Sequence, residues 1–139
     1  MSSDILPENQ VTRETLQRCF KSAFLKTEID EDGDLRVQSD FGIHPFVMID
    51  EDRKLIKFMS LFSLKENIPE EDKLKLVNKL NDDVILVRFS VNQPDLLVAD
   101  YYLFYEEGIS TYQIIHTFKR FAKITVQAIE EHDTEDLLE

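Results

Sequence analysis

Three aspartates, Asp30, Asp32 and Asp34, alternate across Gly33, a spacing that can set several carboxylate oxygens around one calcium ion. The EF-hand loop requires glycine at its sixth position and glutamate at its twelfth. Counted from Asp30, Gly33 falls fourth and Phe41 twelfth, so the loop fails that template at both places. Asp32-Gly33 reads instead as the turn of a hairpin. The histidines, His44, His116 and His132, have no partner at metal-ligand or triad spacing. His44 precedes Pro45, His132 lies near the end of the chain, and His116 borders the apolar stripe of a helix. Cys19 neighbours Arg18 and Lys21, cations that lower a thiol pKa. A lone cysteine on an amphipathic helix nevertheless reads as a small core or boundary residue. Three scattered glycines form no phosphate-cradling loop.

One carboxylate stands apart. Asp100 interrupts the strongly apolar run from Leu96 to Tyr105, where an acid serves either chemistry or an ion pair. In one hairpin register it faces Arg88, and a cross-strand pair is the reading preferred here. An enzyme or a small-ligand site would show convergent polar groups on one parity of the long strands. Only Asp100, with Arg88 beside it, answers that description. Lys119, Arg120 and Lys123 make a basic cluster on the last helix, read as a polar face first and a partner contact second. No reaction and no cofactor follow from these residues.

The strands that carry Asp100 and its neighbours are apolar on both parities. Leu97, Ala99, Tyr101, Leu103 and Tyr105 share one side; Leu96, Val98, Asp100, Tyr102 and Phe104 share the other. Residues 54–63 behave alike, with Leu55, Met59 and Leu61 on one parity and Ile56, Phe58 and Phe62 on the other. A sheet covered on one side only should alternate apolar with polar. Three helices on one side would leave a greasy second face, which calls for another chain. The expected partner or dimer contacts are Phe58, Phe62, Tyr102 and Phe104, with Arg88 and Asp100 among them.

Around those strands the pattern predicts a helix over 11–26, with Thr12 as N-cap and Leu16, Phe20, Ala23 and Phe24 on its apolar stripe. Short strands follow at 27–31 and 34–39, then 45–50 and 54–63. Pro69 opens a second helix, with Leu74, Val77 and Leu80 on one stripe, and Asn81-Asp82-Asp83 ends it. The run 84–91 reads as a strand with Ile85, Val87, Phe89 and Val91 on one face. The turn Asn92-Gln93-Pro94-Asp95 returns it antiparallel into 96–105, which Gly108 terminates. Ser110 caps a long final helix to Glu131, apolar along Ile114, Ile115, Phe118, Phe121, Ala122, Thr125, Val126 and Ile129. The expected class is α+β, an antiparallel sheet with three helices in the order α-β-β-β-β-α-β-β-α. The division expected is a loose leader (1–10), one domain (11–131) and a frayed acidic tail (132–139).

Composition bounds the possibilities. At 139 residues, 42% hydrophobic and 32% charged, the chain can bury a core without staples and has the balance of a soluble globular protein. No apolar run reaches the roughly 20 residues of a membrane helix, so no membrane partner is expected. Met1 to Gln10 carries Asp4 and Glu8 and no basic residue, unlike a signal peptide. The single cysteine permits no internal disulfide, which fits a reducing compartment and a cytoplasmic location. A net charge of −12 repels phosphate backbones and disfavours nucleic acid as a partner. Its acid clusters read as solvated turns and a tail, or else as attractors of a basic segment.

Several local strings carry a resemblance. They include the turn Asp32-Gly33-Asp34 leading into Leu35-Arg36-Val37, and the strands Pro45-Phe46-Val47-Met48-Ile49 and Leu55-Ile56-Lys57-Phe58. Further on come Leu76-Val77-Asn78-Lys79-Leu80-Asn81, Asp100-Tyr101-Tyr102-Leu103, and Gly108-Ile109-Ser110 before the helix with Phe118 and Phe121. Together they resemble the YbjN-like family of bacterial proteins, also called sensory transduction regulators, over about Val11 to Glu131. The chain departs from the family in having no tryptophan, where relatives often carry an aromatic after the second helix or in the middle strands. The family is similar to the type III secretion chaperone fold, a small acidic α+β unit that dimerises and holds stretches of other polypeptides. The resemblance implies a non-enzymatic protein-binding module, chaperone-like or regulatory, without a cofactor, that binds a polypeptide segment as a homodimer. The alternative is a small-ligand-binding domain or enzyme of α+β roll type using the open sheet face. A regulator acting on a transcription or signalling partner is a third reading.

Overall fold

Thr12 starts the first helix as the sequence predicts. Its hydroxyl accepts from the Thr15 amide at 3.1 Å, and the Thr15 hydroxyl accepts from the Thr12 amide at 2.9 Å, so each threonine satisfies a backbone donor of the first turn. The computed structural model describes residues 4–92 and 94–139; Met1 to Ser3 of the expected leader and Gln93 of the expected turn lie outside the described residues. Helix α1 spans Arg13–Ser22, α2 Glu70–Asp83 and α3 Thr111–His132. The strands are β1 (Ile5–Leu6), β2 (Thr27–Ile29), β3 (Leu35–Val37), β4 (Phe46–Asp50), β5 (Leu55–Ser63), β6 (Arg88–Asn92), β7 (Leu96–Phe104) and β8 (Ile109–Ser110). Apart from the small β1 and β8, this is the expected α+β order.

Strands β2 to β7 form one antiparallel sheet in the spatial order β2-β3-β4-β5-β7-β6. The central pair, β5 with β7, runs nine residues in continuous register from Leu55↔Phe104 to Ser63↔Leu96. The β2–β3 turn spends the Asp30 carboxylate on itself. Asp30 Oδ1 accepts the amides of Asp32 and Asp34, each at 3.0 Å, while Gly33 takes φ 83°, a value that favours glycine. A carboxylate committed to its own turn fits the hairpin reading over calcium.

The register sorts the side chains into two faces. Leu35 and Val37, Val47, Ile56 and Phe58, Phe89, and Leu97, Ala99 and Leu103 point to one side and join a single buried cluster. Leu16 and Phe20 of α1, Leu76 and Leu80 of α2, and Ile114, Phe118 and Phe121 of α3 join the same cluster. Phe118 is its hub: its ring meets Phe20 edge-on at 5.0 Å and Phe58 at 5.4 Å, the geometry aromatic quadrupoles favour. On the exposed edge of the sheet, Asn81 of α2 reaches β6. Its amide donates to the Phe89 carbonyl and its carbonyl accepts the Phe89 amide, both at 2.9 Å, which occupies an edge another strand would otherwise template on.

Four expectations are corrected. The leader is not loose from Asp4 onward: β1 pairs with β8, and the Glu107 amide donates to Glu8 Oε1 at 2.9 Å. Gly108 permits that approach, with φ 110° and the Leu6 carbonyl oxygen 3.0 Å from where a Cβ would stand. The tail is not frayed either. Asp133 accepts the amides of Leu137 and Leu138, Leu138 bridges Leu64, and both leucines pack on the core. Phe24 is 96% exposed, because the chain leaves α1 with a left-handed φ of 65° at that residue. Ile85 is 80% exposed and outside any strand. Leu86 adopts φ 76°, so extended backbone begins only at Arg88.

Candidate interface on the uncovered sheet face

The opposite face of the sheet is built from Arg36 of β3, Phe46 and Met48 of β4, and Leu55, Lys57, Met59 and Leu61 of β5. It continues through Arg88 of β6 and Val98, Asp100, Tyr102 and Phe104 of β7. None of these side chains belongs to the core cluster that holds the helices. Among the described residues this face therefore has no layer over it. Exposure of its apolar groups varies, from Val98 at 4% to its partner Leu61 at 43% and Phe104 at 74%.

Cations dress the aromatic rings. The Arg36 guanidinium lies 4.5 Å from the Phe46 ring centre, while Lys57 Nζ and the Arg88 guanidinium each lie 5.6 Å from that of Tyr102. Such contacts hold a positive head over a negative π-face and lay the aliphatic stem along apolar surface. Of the hairpin registers open to the sequence, the observed one sets Asp100 opposite Arg88. Arg88 Nε donates to Oδ1 at 3.0 Å and Nη2 to Oδ2 at 2.8 Å, a bidentate pair across β6 and β7. Asp100 is 3% exposed, and its hydrogen bonds raise the Arg88 pKa above its ordinary value. With both carboxylate oxygens engaged by a permanent cation, Asp100 is a structural partner and not a free acid or base.

Tyr102, Phe104, Arg88 and Asp100 thus lie together on the open face. Phe58 does not. It is fully buried against Phe118 and Phe121, because its parity in β5 is the core parity. Phe62 shares that parity and is packed partly against the core. Sequence reasoning missed Met59, Leu61, Phe46 and Met48 as members of the open face. A signal was present: the charged residues of the two long strands, Lys57 and Asp100, both fall on the outward parity.

Other candidates disperse. Burial pushes the Cys19 thiol up, and Arg18 opposes this only in part, so the nearby cations do not produce a reactive thiolate. His116 stacks on Tyr112 at 5.1 Å on the exposed side of α3. His132 Nε2 lies 2.8 Å from Asp83 Oδ2, and Glu131 joins them within 4.8 Å. That trio has metal-ligand chemistry, yet the contact is accounted for as a hydrogen bond joining the ends of α2 and α3. No helix among the described residues is long and apolar enough to cross a membrane.

The fold has a solved counterpart. The crystal structure of YbjN from E. coli superposes with a TM-score of 0.71, covering 92% of this chain and 95% of that one at 16% identity, a likeness of fold alone. No curated protein matches the sequence. The family model for YbjN, described as "Putative bacterial sensory transduction regulator", matches residues 12–133. That span holds all three helices and the whole six-stranded sheet, and the chain therefore belongs to the YbjN family.

Proposed function

We propose that the chain is a non-enzymatic protein-binding module, regulatory or chaperone-like, that uses the open face of its sheet to form a homodimer and to hold a polypeptide segment. One observation carries the reading: a largely apolar face of a six-stranded sheet that, among the described residues, has no helix over it. Strands lie about 4.8 Å apart and rise about 3.4 Å per residue; only β5 and β7 run nine residues and the other four run three to five, so the face covers roughly 550 Å² in projection. A stable interface buries roughly 800 Å² per partner, so this face would make up most of one. Burying Phe104, now 74% exposed, is worth roughly 1–2 kcal/mol per copy. Charge supports a second copy as the occupant. The chain carries −12 overall, but on this face Arg36, Lys57 and Arg88 balance Glu28, Asp50 and Asp100, so two copies repel less here than across the rest of the surface. A family of sensory transduction regulators suits a chain that acts through contact with other proteins, in the cytoplasm and without a cofactor.

Light scattering after size exclusion tests the proposal. The expected mass at micromolar concentration is twice the 16.3 kDa of one chain, falling to one chain for Phe104→Asp with unchanged circular dichroism. A monomeric native chain at that concentration counts against it.

A further inference from the structure

Residues 108–129 hold no acid, the longest such stretch in a chain with 28 of them, and most of that stretch is α3. The helix buries Ile114, Phe118, Phe121 and Thr125. Its period sets Tyr112, His116, Lys119, Arg120, Lys123 and Gln127 on the opposite side, and all six are exposed. From Tyr112 to Lys123 this stripe rises about 16 Å. It begins as an aromatic plate: the Tyr112 and His116 rings stack at 5.1 Å with 11° between their planes, and Tyr112 is 64% exposed. The next turns are cationic. Among the described residues, Lys119, Arg120 and Lys123 form no ion pair.

The helix itself gains nothing from these charges. Like charges at i, i+4 destabilise it, and the macrodipole favours cations only in the last turn, whereas these lie in mid-helix. Alternating signs would let a solvated face pair within itself; this face keeps one sign, so its complement is an anion brought from outside. Width selects the form of that anion. Helix α2 packs beside α3, where Asp83 meets His132, and it presents Glu70, Glu71, Asp82 and Asp83 to solvent. Those acids and the net charge of −12 repel a phosphate polymer or an anionic bilayer, whose charge extends well past the stripe. A single acidic helix, about 10–12 Å across, keeps its carboxylates over the cations, and the ring plate offers apolar area for one of its side chains.

We infer that the outer face of α3 docks an acidic amphipathic segment of a partner protein, its carboxylates taken by Lys119, Arg120 and Lys123 and an apolar side chain laid on Tyr112 and His116. The helices lie on the other side of the sheet from the open face, so this assignment does not rest on the dimer proposed above. Fluorescence anisotropy of the full chain with a labelled peptide, Glu-Glu-Leu-Phe repeated three times, tests it. The same peptide with Gln in place of every Glu is the uncharged control. The acidic peptide should bind with a Kd at or below about 100 μM at low salt, and the Gln peptide about tenfold more weakly, the worth of several exposed ion pairs. Lys119→Glu combined with Lys123→Glu should cost about tenfold as well, and Tyr112→Ala about threefold, each with unchanged circular dichroism. Phe104→Asp should bind within about twofold of the native chain. Equal binding of the two peptides, no saturable binding, or binding undiminished in the α3 variants would overturn the assignment. So would loss of binding in Phe104→Asp, or tighter binding of oligo(dT) or of phosphatidylglycerol vesicles than of the acidic peptide. The comparison of the two peptides on the native chain decides the matter even where a variant fails to fold.

Discussion

Replacing Arg88 with methionine isolates the role of the ion pair at the centre of the open face. Asp100 has lost nearly all its water, its side chain being 4% exposed, and receives two charge-assisted hydrogen bonds in return. Removing one partner of a fully buried pair costs about 3–5 kcal/mol. Here the arginine side is open, with 65% of its side chain exposed, so water can enter and repay part of the loss. The expected cost of Arg88→Met is therefore about 2 kcal/mol. With a urea slope of about 2 kcal/mol/M, the unfolding midpoint falls by about 1 M. Asp100→Leu combined with Arg88→Met restores stability to within about 1 kcal/mol of the native chain, since an apolar pair leaves no orphaned charge. Equilibrium unfolding at fixed protein concentration reads all the values. An Arg88→Met chain within 0.5 kcal/mol of native, roughly the spread of a neutral surface change, would refute the structural account of Asp100.

Phe118→Ala should cost about 3–5 kcal/mol in the same assay, because the ring bridges Phe20 and Phe58 at the centre of the core. Gly108→Ala should cost about 1–3 kcal/mol, since the position holds φ 110° with the Leu6 oxygen 3.0 Å from the new Cβ; differential scanning calorimetry would show the lowered Tm. Asn81→Ala should cost about 1–2 kcal/mol by releasing both backbone groups of Phe89, and should raise the aggregation rate measured by turbidity.

Much of this architecture was legible because its signals are local and redundant. Thr12 and Ser110 cap their helices as their side chains dictate, and Asp32-Gly33 turns where its φ preference lies. One acid in an apolar strand suggested a cation opposite it and named Arg88, but the hairpin register itself came only from the structure. Which face is open was harder to read. Both parities of β5 are rich in large apolar residues, so Phe58 and Met59 look equivalent until three-dimensional packing separates them. The docked termini were obscured for a different reason. Leu6, Leu137 and Leu138 gain their burial only from contacts distant in sequence, and acid-rich surroundings mask that gain.

The central claim is that two copies meet through their open sheet faces. A photo-crosslinking residue in place of Phe104, with mass spectrometric mapping of the joined peptides, tests it most directly. The account predicts crosslinks to the outward residues of β5 and β7 in a second chain, around Leu55, Met59 and Tyr102. Crosslinks confined to α2 or α3, or none between chains at concentrations where the protein functions, would contradict it.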